Sequence, residues 1–156
     1  MLLTLPLGVS ALPEDRSQPI QLEADSAQLE QTTGVSTYIG DVVITQGSMR
    51  LGADRVVIYT DQGRFIRLEA EGRPATFRVQ PNADKAVIQG RGRNVEYNVD
   101  QARVIITQDA HITQAGDEFS GQRIEYDLDR DQVKAGAGPG GRVQVILQPE
   151  TVNRPQ

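Results

Sequence analysis

The 156-residue chain has no cysteine and no tryptophan, one histidine, and aromatics at only 4% of its residues. Each scarcity closes off a class of chemistry. Without cysteine there is no disulfide framework, no thiolate nucleophile and no thiolate metal ligand. With a single imidazole, His111, a histidine triad or zinc centre has almost nothing to assemble from, and an ordinary strand histidine is expected. A core without tryptophan must be built from Val, Ile, Leu and Ala, which a 38% hydrophobic content can supply. Positive charge is short as well: 16 Lys and Arg against 21 Asp and Glu leave a net charge of −5. Affinity for a phosphate backbone comes largely from Lys and Arg, so nucleic acid is discounted as a partner.

Site motifs are equally sparse. Asp127, Asp129 and Asp131 have the spacing that opens a calcium loop, but its required Gly and Glu are replaced by Gln132 and Gly138. A hairpin tip is expected there. GAGPGGR at residues 136–142 lacks the Gly-Lys-Ser/Thr ending of a phosphate loop and reads as a flexible loop before a last strand. No carboxylate pair stands apart from the turn Asp residues, which disfavours a glycosidase. The expectation is a non-enzymatic binding or structural protein with no metal and no cofactor.

Long apolar runs are also missing. MLLTLPLGVSA, residues 1–11, is uncharged but shorter than the ~20 residues that span a bilayer. Its close, Val9-Ser10-Ala11, is like a signal peptidase site, although no Lys or Arg precedes the run. Residues 1–11 are expected to be a truncated export signal, residues 12–149 a single domain and residues 150–156 a flexible tail.

What the chain does have is repetition. IQLEADSAQLEQTTG at residues 20–34 returns as MRLGADRVVIYTDQG: Leu22, Ala24, Asp25 and Gly34 recur as Leu51, Ala53, Asp54 and Gly63, each 29 positions on. GRNVEYNVDQ at residues 92–101 returns as GQRIEYDLDR at 121–130, again 29 positions on. Ile58 and Tyr97 stand 39 apart, and the excursion RVQPNADKAV at residues 78–87 accounts for the extra length. ITQGSMRLG (44–52) is echoed by ITQAGDEFSG (112–121). Four degenerate copies result.

Each copy alternates apolar and polar residues in short Val/Ile/Tyr/Thr-rich runs: VVIYT, FIRLEAEG, ATFRVQ, NVEYNV, RVIITQ, RIEYDL and RVQVILQ. Turn residues separate them at 61–63, 81–84, 98–101, 127–131 and 136–141. No Gly- and Pro-free stretch keeps a helical apolar stripe. The class is therefore all-β and antiparallel, with one buried and one wet face. Near-equal copies favour a solenoid-like or jelly-roll stack over a Greek key. Period two turns Ile20, Leu22, Val42, Ile44, Met49, Leu51, Val56, Ile58, Phe77, Val95, Tyr97, Val99, Phe119, Ile124 and Tyr126 inward. Arg91 and Arg93 share one strand face, either as plain solvated charges or as contacts to an anionic group. The first strand (Ile20, Gln21, Leu22, Glu23, Ala24) and the last (Val143, Gln144, Val145, Ile146, Leu147) have no partner beyond them in sequence. Pro19 and Pro149 bound them, and both are expected to be coupling edges.

Taken in order, QPIQLEADSAQL, GDVVITQGSMRLGADRVVIY, GRPATFRV and GQRIEYDLDRDQVKA resemble the OstA-like repeat family over residues 18–149. The resemblance implies an open, twisted antiparallel β jelly roll of about sixteen short strands. It implies a periplasmic protein that carries lipopolysaccharide from the inner to the outer membrane, with the acyl chains of the lipid A region in an apolar groove. Ile20, Leu22, Phe77, Tyr97 and Val99 would face the lipid. Edge-strand pairing would join copies head to tail and link them to inner-membrane and outer-membrane relatives. The competing expectation is a β-solenoid adaptor that pairs edges and holds no lipid.

Overall fold

The computed structural model describes residues 17–80 and 83–149; the expected export signal (1–11) and tail (150–156) lie outside the described residues. Ten strands follow one another: β1 (Gln21–Glu23), β2 (Ser26–Glu30), β3 (Val35–Gln46), β4 (Met49–Asp61), β5 (Arg64–Val79), β6 (Ile88–Asn98), β7 (Arg103–Gln114), β8 (Asp117–Asp127), β9 (Gln132–Gly136) and β10 (Gln144–Ile146). All lie in one antiparallel sheet. From β3 to β8 it is a simple meander, each strand paired with the next in sequence. β1 and β2 both lie along β3, and β9 and β10 both lie along β8.

The six central strands are 11 to 16 residues long. Each is broken midway. Register shifts fall at Ile39/Val42, Gly52/Arg55, Glu71/Ala75, Arg91/Asn94 and Thr107/Ala110. They line up, because Arg55, Glu71, Asn94 and Thr107 are successive cross-strand partners on one side of the breaks. Aligned β-bulges make a crease. Residues in the left-handed region sit along it, among them Gly40 (φ 88), Asp41 (φ 43), Gln108 (φ 64) and Asp109 (φ 54). Gly40 is required twice over: a Cβ there would stand 2.2 Å from Asp25 Oδ2. The Asp25 N–H donates to the Gly40 carbonyl at 3.0 Å, tying the β1–β2 break to the crease.

The sheet is thus folded into two arms. The first holds β1, β10 and the stretches of β3 to β8 that meet at the β3–β4, β5–β6 and β7–β8 turns. The second holds β2, β9 and the remaining halves. The sixteen expected short strands become ten, because six run through the crease without ending. Counting their arms separately and adding the four short strands restores sixteen segments. The 29-residue repeat is one passage from first arm to second and back. Leu22 of β1 and Leu29 of β2 match Leu51 and Ile58 of the unbroken β4.

Alternate side chains of both arms point between them. Val42, Ile44, Leu51, Val56, Leu68, Ala75, Ile88, Val95, Ile106, Ile112, Ile124 and Tyr126 are each at most 2% exposed. The arms touch: a Cβ on Gly90 of the first arm would lie 2.1 Å from Phe77 Cε1 and 2.8 Å from Ile106 Cδ1 of the second. Glycine there makes room for the Phe77 ring and for the opposite layer.

Candidate functional site

The interior between the arms is apolar apart from the hydroxyls of Tyr97 and Tyr126. Among the described residues the one buried polar side chain is Gln46, whose Nε2 donates to the Gln18 carbonyl at 3.1 Å. Ten of the fifteen residues expected to face inward are buried: Val42, Ile44, Leu51, Val56, Ile58, Phe77, Val95, Tyr97, Ile124 and Tyr126. Leu22, Met49, Val99 and Phe119 are partly buried against that core. Ile20 precedes β1 and is exposed. Sequence reasoning passed over Leu68, Ala70, Ala75, Val79, Ile88, Val104, Ile106, Ala110 and Ile112, which belong to the same core. The alternation in RLEAEG, ATFRV and VIITQ carried the signal for most of them.

Partly buried apolar residues edge the mouth of the fold. Phe65 follows the β4–β5 turn, and Val99 and Leu128 follow β6 and β8 at the tips of the second arm. Met49 opens β4 at a tip of the first arm. The Phe65 ring stands 6.2 Å from that of buried Tyr97, tilted at 59°, an edge-inclined contact that continues the apolar surface inward.

One end of the mouth is clasped. Asp131, in the β8–β9 turn of the second arm, accepts hydrogen bonds from Gln114 Nε2 at 3.1 Å and Lys85 Nζ at 3.1 Å, both at tips of the first arm. It also accepts one from the Tyr126 hydroxyl. Burial, then the bond to Asp131, pushes the Tyr126 phenol well above its ordinary value. The same hydroxyl, with Gln114 and Lys85, holds the Asp131 carboxyl below its usual value. The calcium-like triplet serves as a turn: Asp127 Oδ1 accepts the N–H groups of Asp129 and Arg130.

The two edges of the sheet, where coupling was expected, are broader than the sequence suggested. Each consists of two short strands, one per arm: β1 with β2 at the N-terminal end, β9 with β10 at the C-terminal end. The paired parts of the expected edge segments are shorter, Gln21–Glu23 and Gln144–Ile146. Leu29 is 65% exposed at the first edge and Leu147 66% at the last, with Val143, Val145 and Ile146 beside it. β2 was legible in principle, since Ala27-Gln28-Leu29 occupies the repeat position of Val56-Val57-Ile58.

Arg91 and Arg93 are both exposed, two apart on β6, and their surroundings differ. Arg91 sits in the first arm opposite His111, whereas Arg93 falls in the register break at the crease, with its Nε 3.9 Å from Asp109 Oδ2. His111 is partly buried, its Nδ1 2.8 Å from Ser120 Oγ.

An open-edged antiparallel sheet, folded along a crease over an apolar interior and built from degenerate repeats, defines a class of β-scaffold with two free ends. Within that class, residues 21–132 match the family described as "LptA/(LptD N-terminal domain) LPS transport protein". The chain belongs to this family. It is 39% identical to "Lipopolysaccharide export system protein LptH" of Pseudomonas aeruginosa, over 95% of this chain and 91% of that one. It is 33% identical to "Lipopolysaccharide export system protein LptA" of Haemophilus influenzae, over 92% and 85%. Identity to the protein of that name from Escherichia coli K12 is 30%, over 95% and 80%. The crystal structure of Pseudomonas aeruginosa LptH, "the LptA homologous periplasmic component of the conserved lipopolysaccharide transport device", superposes with a TM-score of 0.82 at 38% identity. It covers 88% of this chain and 100% of that one.

Proposed function

We propose that the chain is a non-enzymatic, periplasmic carrier of lipopolysaccharide that holds acyl chains between its two arms and assembles end to end. The observation that carries the reading is the apolar interior, built of Val, Ile, Leu, Ala, Phe and Tyr side chains, opening on a half-exposed apolar rim. A fatty acyl chain entering there exchanges one apolar contact for another and strips water from its own surface, at ~25 cal/mol per Å². It strands no buried charge on the way. Ile20, Leu22, Phe77, Tyr97 and Val99 are its proposed contacts, with the remaining inward residues completing the groove.

Assembly uses the open edges. Unpaired strands are templates for addition of another strand. The partners would be further copies of the chain and the LptC-like inner-membrane and LptD-like outer-membrane components that the family resemblance implies. One observation favours the adaptor reading, in which edges pair without lipid: the chain's own side chains fill the space between the arms. In the carrier reading the arms part at the mouth to admit the ligand.

Photo-crosslinking decides between them. A crosslinker at inward Phe77 is expected to capture lipopolysaccharide in cells, and one at outward-facing Glu96 is not. Capture at neither position would leave the adaptor, and capture at Glu96 with none at Phe77 would sink the assignment of the groove.

A further inference from the structure

On the face of the first arm that looks away from the interior lies a depression of about 680 Å³, lined by Arg50, Arg78, Arg91, Gln89, Thr113 and Glu118 among others. The register explains its charge. Arg50 of β4 is the direct cross-strand partner of Arg78 of β5. Arg78 pairs with Gln89 of β6, and two residues along the same strands Thr76 pairs with Arg91. Three guanidinium groups therefore stand on three neighbouring strands of one face. Directly opposed residues have Cβ atoms roughly 5 Å apart, and like charges so placed destabilise a sheet. Among the described residues, none of the three arginines has an ion-pair partner, whereas Arg55, Arg64, Arg67 and Arg93 all do. Glu118 is the one carboxylate in the lining, and it stands at the far side, opposite Thr113 of β7. On a chain with a net charge of −5, this is a local excess of unneutralised positive charge.

The geometry selects the counter-charge. One carboxylate accommodates one guanidinium fork, whereas three guanidiniums around one hollow call for the several oxygens of phosphate. Thr76, Thr113 and Gln89 add the hydroxyl and amide groups that suit sugar hydroxyls. The position fits as well. Arg50 is the second residue of β4 and Arg78 the second-last of β5, so both stand at the free rim of the arm. Met49 and Phe77, their sequence neighbours, face the opposite side. Crossing the rim takes about two residues, roughly 7 Å at the rise of a strand.

We infer that this depression binds the phosphate groups of a phosphorylated sugar headgroup, belonging to an amphiphile whose chains lie between the arms. The inference rests on the carrier reading and adds to it a headgroup site on the outer face of the rim. Arg93, held by Asp109 at the crease, takes no part.

Four probes test it by titration calorimetry on the full chain: intact lipopolysaccharide, its deacylated phosphorylated saccharide, that saccharide after phosphatase treatment, and inorganic phosphate. The phosphorylated saccharide is expected to bind wild type and Arg93→Gln alike, and to bind the double variant Arg50→Gln, Arg78→Gln roughly tenfold or more weakly. Phosphatase treatment is expected to produce the same loss on wild type, and the difference should shrink as salt rises. Circular dichroism checks that the exposed Gln substitutions leave the sheet intact. Equal binding of the phosphorylated saccharide to wild type and double variant overturns the inference, as does its failure to bind wild type. Inorganic phosphate binding as tightly as the saccharide makes this a free-anion site, which also overturns it. If intact lipopolysaccharide binds the double variant as well as wild type, the headgroup site falls and the groove stands. If it does not bind wild type at all, the carrier reading falls first.

Discussion

At the N-terminal end of the sheet, β1 and β2 lie along β3, and residues 17–34 carry Glu23, Asp25 and Glu30 with no Lys or Arg. At the C-terminal end, β9 and β10 lie along β8, and residues 132–149 carry Lys134 and Arg142 with no Asp or Glu. The two ends share an architecture and differ in sign. Both offer unpaired backbone donors and acceptors on each arm, and both expose large apolar side chains. Backbone pairing alone would let like ends meet. Opposite charge favours the meeting of unlike ends and penalises the symmetric alternatives. A repeated unlike contact does not close on itself in a pair; it extends into a chain of copies.

The most severe way to break the comparison is to delete one end. A chain cut before Gly140 loses β10, which pairs with β8 over three residues and buries none of its own side chains. The fold and interior should survive, while end-to-end association should vanish in light scattering at a concentration where wild type assembles. Persistent assembly would show that β10 is not the coupling.

A milder intervention reverses charge instead of removing backbone. Glu23→Lys with Glu30→Lys should weaken association by roughly tenfold, the sum of a few exposed pairs at ~0.2–1 kcal/mol each. Lys134→Glu with Arg142→Glu should do the same. Mixing the two variants should restore association between them, and high salt should erase the differences. Failure of the mixture to recover would mean that the opposite signs play no part in choosing partners.

The smallest effect concerns the clasp, which ties the arms together at the C-terminal end. Asp131→Asn should lower stability at neutral pH by roughly 1–3 kcal/mol, toward the lower figure because the carboxylate is partly exposed. The pH dependence has a definite sign. The folded carboxyl titrates below its unfolded value of ~3.9, so its contribution is present above that value. It is lost as pH falls through the depressed folded value. Thermal unfolding of wild type and variant should therefore diverge at neutral pH and converge near pH 2. Tyr126, displaced upward, adds the opposite limb, with stability lost as pH rises beyond ~10. A constant offset across the acid range would remove Asp131 from the account.

Much of this molecule was legible in its residues. Alternation in VVIYT, NVEYNV and RIEYDL marked strands and their inward faces, and Gln62-Gly63 and the Asp127–Asp131 stretch marked turns, because side-chain period and turn geometry are local properties. The repeat marked a stack with ends. The site was legible as a list of inward residues, not as an arrangement. Arg91 and Arg93 are two apart and both stand on the exposed face of β6, but the register break between Arg91 and Asn94 gives them different neighbours, and a bulge depends on how two layers meet. Arg50 and Arg78 stand 28 positions apart in the chain, and only strand register makes them neighbours.

By itself, then, the sequence determined that this is an antiparallel, repeat-built β protein with an apolar interior of Val, Ile and Leu, since alternation and composition settle which face leaves water. The tertiary structure alone decided that six strands run on through a crease, that each end is a pair of short strands, that Asp131 reaches Gln114 and Lys85, and that three arginines share a hollow. Each of these joins residues far apart in sequence, and such meetings are chosen by packing one arm against the other, which no local pattern encodes.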